Sequence, residues 1–178
     1  MLLTWFLSAG IVTVALLTPN IMETQHQYAR GDALLANSIA IVFLTLGCVF
    51  WGWLADRIGA YRVLLTGALV LAAGSYVFYQ ALPADVVRTT VLYSLTGFAL
   101  GSGAVVPMVL VGLFPPAVRY SGFSFSYNVA YSIFGGFTPI LIALWLKADV
   151  LAPAHYLAVV CFVAFTLAIY LSAKERQA

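Results

Sequence analysis

The chain has 178 residues, of which 63% are hydrophobic and only 8% are charged. Soluble domains carry roughly 25% charged residues, so this composition excludes an ordinary soluble protein and indicates an integral membrane protein. The 8 basic and 6 acidic residues give a formal charge of +2, and they are too scattered to form a nucleic-acid or polybasic lipid-binding surface.

Uncharged intervals measure the membrane spans, because a helix rises about 1.5 Å per residue and the hydrocarbon is roughly 30 Å thick. Short links between the intervals favour antiparallel neighbours in one bundle. The sequence therefore predicts an all-α integral membrane protein with a single six-helix domain over 1–178. Its transmembrane helices are predicted at about 2–22, 33–55, 63–82, 89–113, 121–146 and 155–173.

The first predicted helix begins directly after Met1. No basic segment and no small-residue cleavage site precede it, so a signal peptide is not expected. The abrupt start suggests a fragment or a reduced gene.

Between the second and third helices, the stretch from Gly52 to Arg62 reads GWLADRIGAYR and predicts a tight turn. Asp56 and Arg57 are expected in water or among lipid headgroups, since charges are costly inside the bilayer. Gly59 supplies a flexible backbone position before the next apolar run.

The fourth and fifth helices carry small residues and prolines. Gly97 and Gly101 are four residues apart, a spacing that lets a membrane helix approach a neighbour closely. Pro107 and Pro139 predict bends.

Polar residues recur at helical spacing in the same two helices. Polar groups in lipid need partners, so these faces point either to hydrogen bonds between helices or to a water-filled cavity. We favour a cavity for the cluster of Tyr127, Asn128 and Tyr131. Two further amide side chains, Asn20 and Asn37, either line the same cavity or cap helix ends. The candidate substrate-cavity residues are Asn20, Asn37, Tyr93, Tyr127, Asn128, Tyr131 and Ser132.

No catalytic, metal or cofactor site is predicted. Cys48 and Cys161 lie in apolar runs without metal-ligand spacing, and they are interpreted as small core residues. His26 and His155 are interpreted as surface residues. An intramembrane enzyme built on Ser102 and His155 is the weakest hypothesis, because neither residue has a G-x-S-x-G or H-E-x-x-H context.

The distribution of Lys and Arg predicts that both termini are cytoplasmic, in the plasma or inner membrane. Five basic residues fall on the side of the termini and three on the other. The first group is Arg57, Arg62, Arg119, Lys174 and Arg176, and the second is Arg30, Arg88 and Lys147.

The turn from Gly52 to Arg62 resembles the G-x-L-a-D-r-x-G-r-r loop signature of the major facilitator superfamily. The matching residues are Gly52, Leu54, Ala55, Asp56, Arg57 and Gly59. Ala60 and Tyr61 stand where the signature has basic residues, and Arg62 is the next basic position.

A second stretch, Phe114 to Ile140, resembles the join of the tenth and eleventh helices in the metabolite:proton symporters, which carry proline/betaine, shikimate, citrate and 2-oxoglutarate. The matching residues are Phe114, Pro115, Arg119, Tyr120, Gly122, Tyr127, Asn128, Gly135, Gly136 and Pro139. The resemblance covers the chain as helices seven to twelve of a twelve-helix protein.

This resemblance implies the carboxy-terminal half of a major facilitator bundle. Its first, second, fourth and fifth helices would line a cavity for a small polar metabolite, moved by alternating access with proton coupling. The implied partners are the lipid bilayer, the metabolite, protons and the missing amino-terminal half. The implied gating residues are Gly52, Asp56, Arg57, Gly59, Arg62 and Arg119. The alternative is a stand-alone six-helix protein that either homodimerises or serves as a non-transporting partner.

Overall fold

The fold is taken from a computed structural model that describes residues 1–82 and 85–175. Within these residues it has no strand, and six helices are long and apolar enough to cross a membrane. The prediction of an all-α, six-span membrane protein is confirmed. We name the helices α1 (Leu2–His26), α2 (Arg30–Ile58), α3 (Ala60–Gln80), α4 (Val86–Gly112), α5 (Arg119–Trp145) and α6 (Ala152–Glu175).

The helices run past the charged residues that bound the predicted spans. α1 continues through Glu23 to His26, and α2 begins at Arg30. Charges mark the edge of the hydrocarbon, whereas a helix keeps its backbone hydrogen bonds beyond that edge. Pro83 and Ala84 of the predicted third link lie outside the described residues, as does Arg176 of the orientation argument.

A single residue, Gly59, joins α2 to α3. Its backbone has φ +95° and ψ 143°, a conformation that L side chains rarely adopt. Its N–H donates to the Ala55 carbonyl at 2.9 Å. Asp56 and Arg57 consequently lie in the last turn of α2. The turn predicted between Gly52 and Arg62 consists of Gly59 alone.

α1 and α4 form the centre of the bundle. In each of them 61% of the most apolar window is buried, against 22% for α2 and 17% for α5. α2 packs along α4, α5 packs on α1, and α3 and α6 pack on each other behind the central pair. The most exposed helices are therefore the two flanks, α2 and α5.

The seam between α2 and α4 is made by glycines. A Cβ on Gly97 would lie 2.5 Å from the Ala40 carbonyl oxygen, and one on Gly101 would lie 2.5 Å from the Cys48 backbone nitrogen. The Trp51 indole nitrogen donates to the Phe98 carbonyl at 2.9 Å across the same seam. This is the close approach that the spacing of Gly97 and Gly101 predicts.

Both central helices contain an irregular segment near a proline. In α4 a 3-10 segment, Gly101–Ala104, comes just before Pro107, whose missing N–H removes one regular hydrogen bond. In α1 the segment Ile11–Leu17 is a π-helix that ends two residues before Pro19. α5, by contrast, stays helical through Pro139.

Candidate functional site

A shallow cleft lies where α1, α2 and α4 meet, and it encloses only about 10 Å³. Its exposed walls are almost entirely apolar, and its two polar lining residues are Asn37 from α2 and Tyr93 from α4. The lining residues are Val14, Ala15, Asn37, Ala40, Ile41, Leu44, Tyr93 and Gly97. The structure thus brings together two of the predicted cavity residues.

Tyr93 is the residue that ties this cleft to its three helices. The side chain is fully buried and stacks on Phe78 with ring centroids 4.9 Å apart. Its hydroxyl contacts the Val14 backbone carbonyl of α1 and lies 2.6 Å from Oδ1 of Asn37 in α2. A fully buried hydroxyl needs such partners, because an unpaired one costs free energy.

The π-helical segment of α1 explains why a backbone carbonyl is free to meet Tyr93. In this segment the hydrogen bonds span five residues, as in the bond from the Thr18 N–H to the Thr13 carbonyl. In the same register the Val14 carbonyl would accept from the backbone N–H of residue 19. That residue is Pro19, which has no N–H. The Tyr93 hydroxyl occupies the position of the missing donor.

A second buried pair holds α1 against α3 close by. The Thr18 hydroxyl donates to the Thr13 carbonyl at 2.9 Å, and it lies 2.7 Å from the Tyr79 hydroxyl. Both side chains are buried. Side chains of α1 and α4 therefore pair the Thr13 and Val14 carbonyls of the irregular α1 segment, and Tyr79 of α3 bonds to Thr18.

The predicted polar face of α5 lies away from this cleft, and none of the cleft residues comes from α5. Asn128 and Ser132 are exposed, and the Asn128 Nδ2 donates within its own helix to the Ser124 carbonyl at 2.8 Å. Tyr127 and Tyr131 are half-buried, with ring centroids 5.2 Å apart. These four residues form a polar face on one flank of the bundle, and Asn128 and Ser132 are its exposed part.

Asn20, the remaining predicted cavity residue, is exposed on α1 and does not line the cleft. Its backbone carbonyl accepts from the Thr24 hydroxyl at 2.7 Å.

The predicted gating residues gather at one end of the bundle, where α2 meets α3 and α4 meets α5. Asp56 and Arg62 are exposed, and the Arg57 guanidinium lies 4.4 Å from the centre of the Trp53 ring. Nε of Arg119 donates to the Phe114 carbonyl at 3.3 Å. Cation–π contact and solvent access give these charges a stable place at the membrane edge.

Sequence reasoning missed a polar cluster at the opposite end of the bundle. Nε2 of His155 lies 3.0 Å from the Asp149 carboxylate, and Nδ1 lies 2.6 Å from the Tyr76 hydroxyl. His155 is about one-third exposed, so it is a partly exposed bridge between α6 and α3. Its nearness to Asp149 was visible in the sequence, but Tyr76 is 79 positions away.

A second missed network joins α1, α5 and α6. The Trp5 indole nitrogen donates to the Tyr156 hydroxyl at 2.9 Å, and that hydroxyl lies 2.7 Å from the Thr138 hydroxyl. The Trp5 ring also stacks on Phe134 with centroids 4.9 Å apart. These contacts fix α5 against the central helix.

The six apolar helices, the glycine seam and the polar groups held between helices define a multi-pass helical membrane protein. Among the described residues, no group of three His, Cys, Asp or Glu side chains is placed to hold a metal ion.

The family model described as "Sugar (and other) transporter" matches residues 1–177. The chain therefore belongs to this transporter family, within the major facilitator superfamily. The predicted resemblance to that superfamily is confirmed.

Named relatives agree with this family. The chain is 33% identical over 148 residues to a putative proline/betaine transporter of Staphylococcus aureus, covering 80% of this chain and 31% of the relative. It is 31% identical over 140 residues to the shikimate transporter of Escherichia coli, covering 75% and 31%. It is 27% identical over 184 residues to the citrate-proton symporter of Klebsiella pneumoniae, covering 91% and 40%. The chain spans about a third of the length of these relatives.

Family and relatives indicate transport rather than catalysis. The two side chains of the enzyme hypothesis have separate surroundings. Ser102 is fully buried beside Gly67, and His155 bonds to Tyr76 and Asp149.

Proposed function

We propose that this chain acts as the carboxy-terminal six-helix half of a secondary active transporter that moves a small polar metabolite by alternating access. The metabolite class is an organic acid or a zwitterion, in line with the proline/betaine, shikimate and citrate named for the relatives. The major facilitator arrangement places such a site between two six-helix halves.

The incomplete cleft beside Asn37 is the observation that carries this proposal. Metabolite pockets usually enclose roughly 300–1,000 Å³, whereas this cleft encloses about 10 Å³, and its lining residue Ile41 is exposed. A second wall would complete it. The exposed polar face of α5 supports the same conclusion, since polar groups at membrane depth need a partner or water.

Proton coupling would depend on the other half. The six predicted membrane spans of this chain contain no Asp, Glu, Lys or Arg. An unperturbed tyrosine titrates near pH 10, which is too high for easy proton cycling. In this proposal the proton-carrying carboxylates belong to the amino-terminal half. The termini of this chain face the cytoplasm of a cell-membrane carrier.

The direct test measures uptake in cells that lack their own shikimate transporter. Cells expressing this chain together with the amino-terminal half of the shikimate transporter are expected to take up labelled shikimate driven by a pH gradient. Cells expressing either half alone are expected to match empty cells. Pairing of the two halves in the membrane, with no uptake of shikimate, proline, betaine or citrate, would contradict the transport proposal.

Asp56 gives a second test, on the gate. A carboxylate that meets the amino terminus of a helix in the other half gains about 0.3–1 kcal/mol. Asp56→Asn is therefore expected to slow uptake by the paired halves roughly 2- to 5-fold. Folding of the isolated chain should stay unchanged, because Asp56 is exposed.

The matched control for this test is Asp85→Asn, which removes an exposed carboxylate just before α4, at the other end of the bundle. Equal uptake rates for the Asp56 variant and the unmodified chain would remove the gating role.

A homodimer is the second candidate, and the exposed flanks α2 and α5 favour it. Two copies would then supply both walls of the cleft. A stable dimer in native mass measurements, together with uptake by this chain alone, would replace the half-carrier proposal with this one.

A further inference from the structure

The contacts of Tyr93 contain a conflict in hydrogen-bond donors. Its hydroxyl touches two acceptors, the Val14 carbonyl and Oδ1 of Asn37. A tyrosine hydroxyl has only one proton to donate. One of the two oxygens would therefore face the hydroxyl oxygen without a hydrogen between them, which is costly at a buried site.

Turning the Asn37 amide over by 180° resolves the conflict. Amide oxygen and nitrogen are nearly equal in size, so the surrounding hydrogen bonds decide which of them faces the hydroxyl. With Nδ2 in that place, Asn37 donates to the Tyr93 oxygen and Tyr93 donates to Val14. Every polar group of the chain of contacts then has a partner.

The Val14 carbonyl is the acceptor that keeps the Tyr93 proton. It is the group that Pro19 leaves without a backbone donor in the five-residue register of α1. Val14 itself is 2% exposed, so water has little access to replace the hydroxyl. Asn37 is only half-buried, and its side chain has a second polar atom that can bond elsewhere. The Tyr93 proton therefore goes to the Val14 carbonyl.

We propose that Oδ1 of Asn37, a half-buried residue at the edge of the cleft between α1, α2 and α4, is an acceptor that receives an N–H or O–H donor of the transported metabolite. Tyr93 is then a positioning residue, since its hydroxyl is fully used in holding Asn37 and Val14. The inference rests on the proposed transport function and specifies which chemical group of the substrate meets this half.

The surroundings of Asn37 explain why a ligand donor is needed. The other cleft residues near it, such as Ala40, Ile41 and Leu44, are aliphatic and offer no side-chain donor. Asn37 lies seven residues into α2, about two helical turns from Arg30. A metabolite with an N–H or O–H group satisfies the acceptor, whereas one whose nitrogen is fully methylated does not.

The amide orientation is tested on the full chain in lipid nanodiscs by NMR of ¹⁵N-asparagine. The chain has three asparagines, Asn20, Asn37 and Asn128, so three side-chain amide pairs are expected. An Nδ2 proton of Asn37 should show a cross-peak to the Tyr93 hydroxyl or ring and slow exchange with water. Tyr93→Phe should abolish the slow exchange, while Tyr120→Phe, at an 85% exposed site, should leave it unchanged.

Ligand preference is tested with L-proline and N,N-dimethyl-L-proline, which share ring and carboxylate but differ in their N–H donors. Proline is expected to shift the Asn37 amide signals and to bind roughly 5- to 150-fold more tightly than the dimethyl compound, the factor for one buried acceptor left unpaired. Asn37→Leu, which removes the acceptor, should bring the two affinities together.

The outcomes separate this inference from the function on which it rests. Fast exchange of both Asn37 amide protons in the unmodified chain would overturn the orientation. Equal affinity for the two probes, or no binding of either, with the orientation intact, would overturn the donor-recognition role. If the paired halves take up substrate although one of these two results is found, the transport proposal holds and only the inference about Asn37 fails.

Discussion

Gly101→Leu is expected to lower the free energy of unfolding by about 3 kcal/mol, the upper end of the usual cost of overpacking. A side chain at this position would meet the backbone of Gly47 and Cys48 in α2, with the Cys48 nitrogen only 2.5 Å from the new Cβ. Backbone atoms cannot move aside as a flexible side chain does, so α2 and α4 must separate. Thermal or chemical unfolding of the purified chain in detergent measures the loss.

Gly112→Leu is the matched control, since this glycine lies on the same helix and a Cβ added to it would have no heavy atom within 4 Å. The free energy of unfolding of this variant should stay within about 0.5 kcal/mol of that of the unmodified chain, as for other surface substitutions. Equal stability of the two variants would show that the glycine seam does not hold α2 against α4.

Tyr93→Phe is expected to destabilise the bundle by about 1–3 kcal/mol, the cost of leaving a buried polar group without its partner. The ring and its stacking on Phe78 remain, so the change isolates the hydroxyl. Its loss leaves the Val14 carbonyl without a donor and the Asn37 amide without its contact. The same unfolding measurement in detergent reports the effect.

Tyr120→Phe removes a hydroxyl from a side chain that is 85% exposed, and it is expected to leave stability unchanged. The double variant of Tyr93→Phe with Asn37→Leu should lose less than the sum of the two single variants, because the two groups share a contact. Strict additivity would mean that the Tyr93 hydroxyl and Asn37 are not coupled.

The fold was largely predictable because the membrane leaves few choices. Charges at Glu23, Asp32 and Asp56 bound apolar intervals of the right length, and a backbone in lipid must satisfy its hydrogen bonds within helices. The helix ends were less predictable, since a helix continues past its first charge into the headgroup region. The seam at Gly97 and Gly101 followed from their spacing, although the spacing did not name α2 as the partner.

The candidate site was predictable only in its parts. Asn37 and Tyr93 each stood out as polar residues in apolar runs, yet they are 56 positions apart and meet only through the packing of α2 on α4. Asn20 and Asn128 carry the same sequence signal and lie elsewhere. The Val14 carbonyl is a backbone group, and its one trace in the sequence is Pro19, five residues later.

The sequence by itself determined that this protein is a six-helix membrane bundle of the major facilitator type, because composition, interval length and the signature around Asp56 depend on local residues alone. Only the tertiary structure decided that Tyr93, Asn37 and Val14 share one cleft while the polar face of α5 stays exposed. The physical reason is that a hydrogen bond between helices requires its two atoms within about 3 Å. That distance is set by how closely the glycines let α2 approach α4 and by the irregular turn of α1.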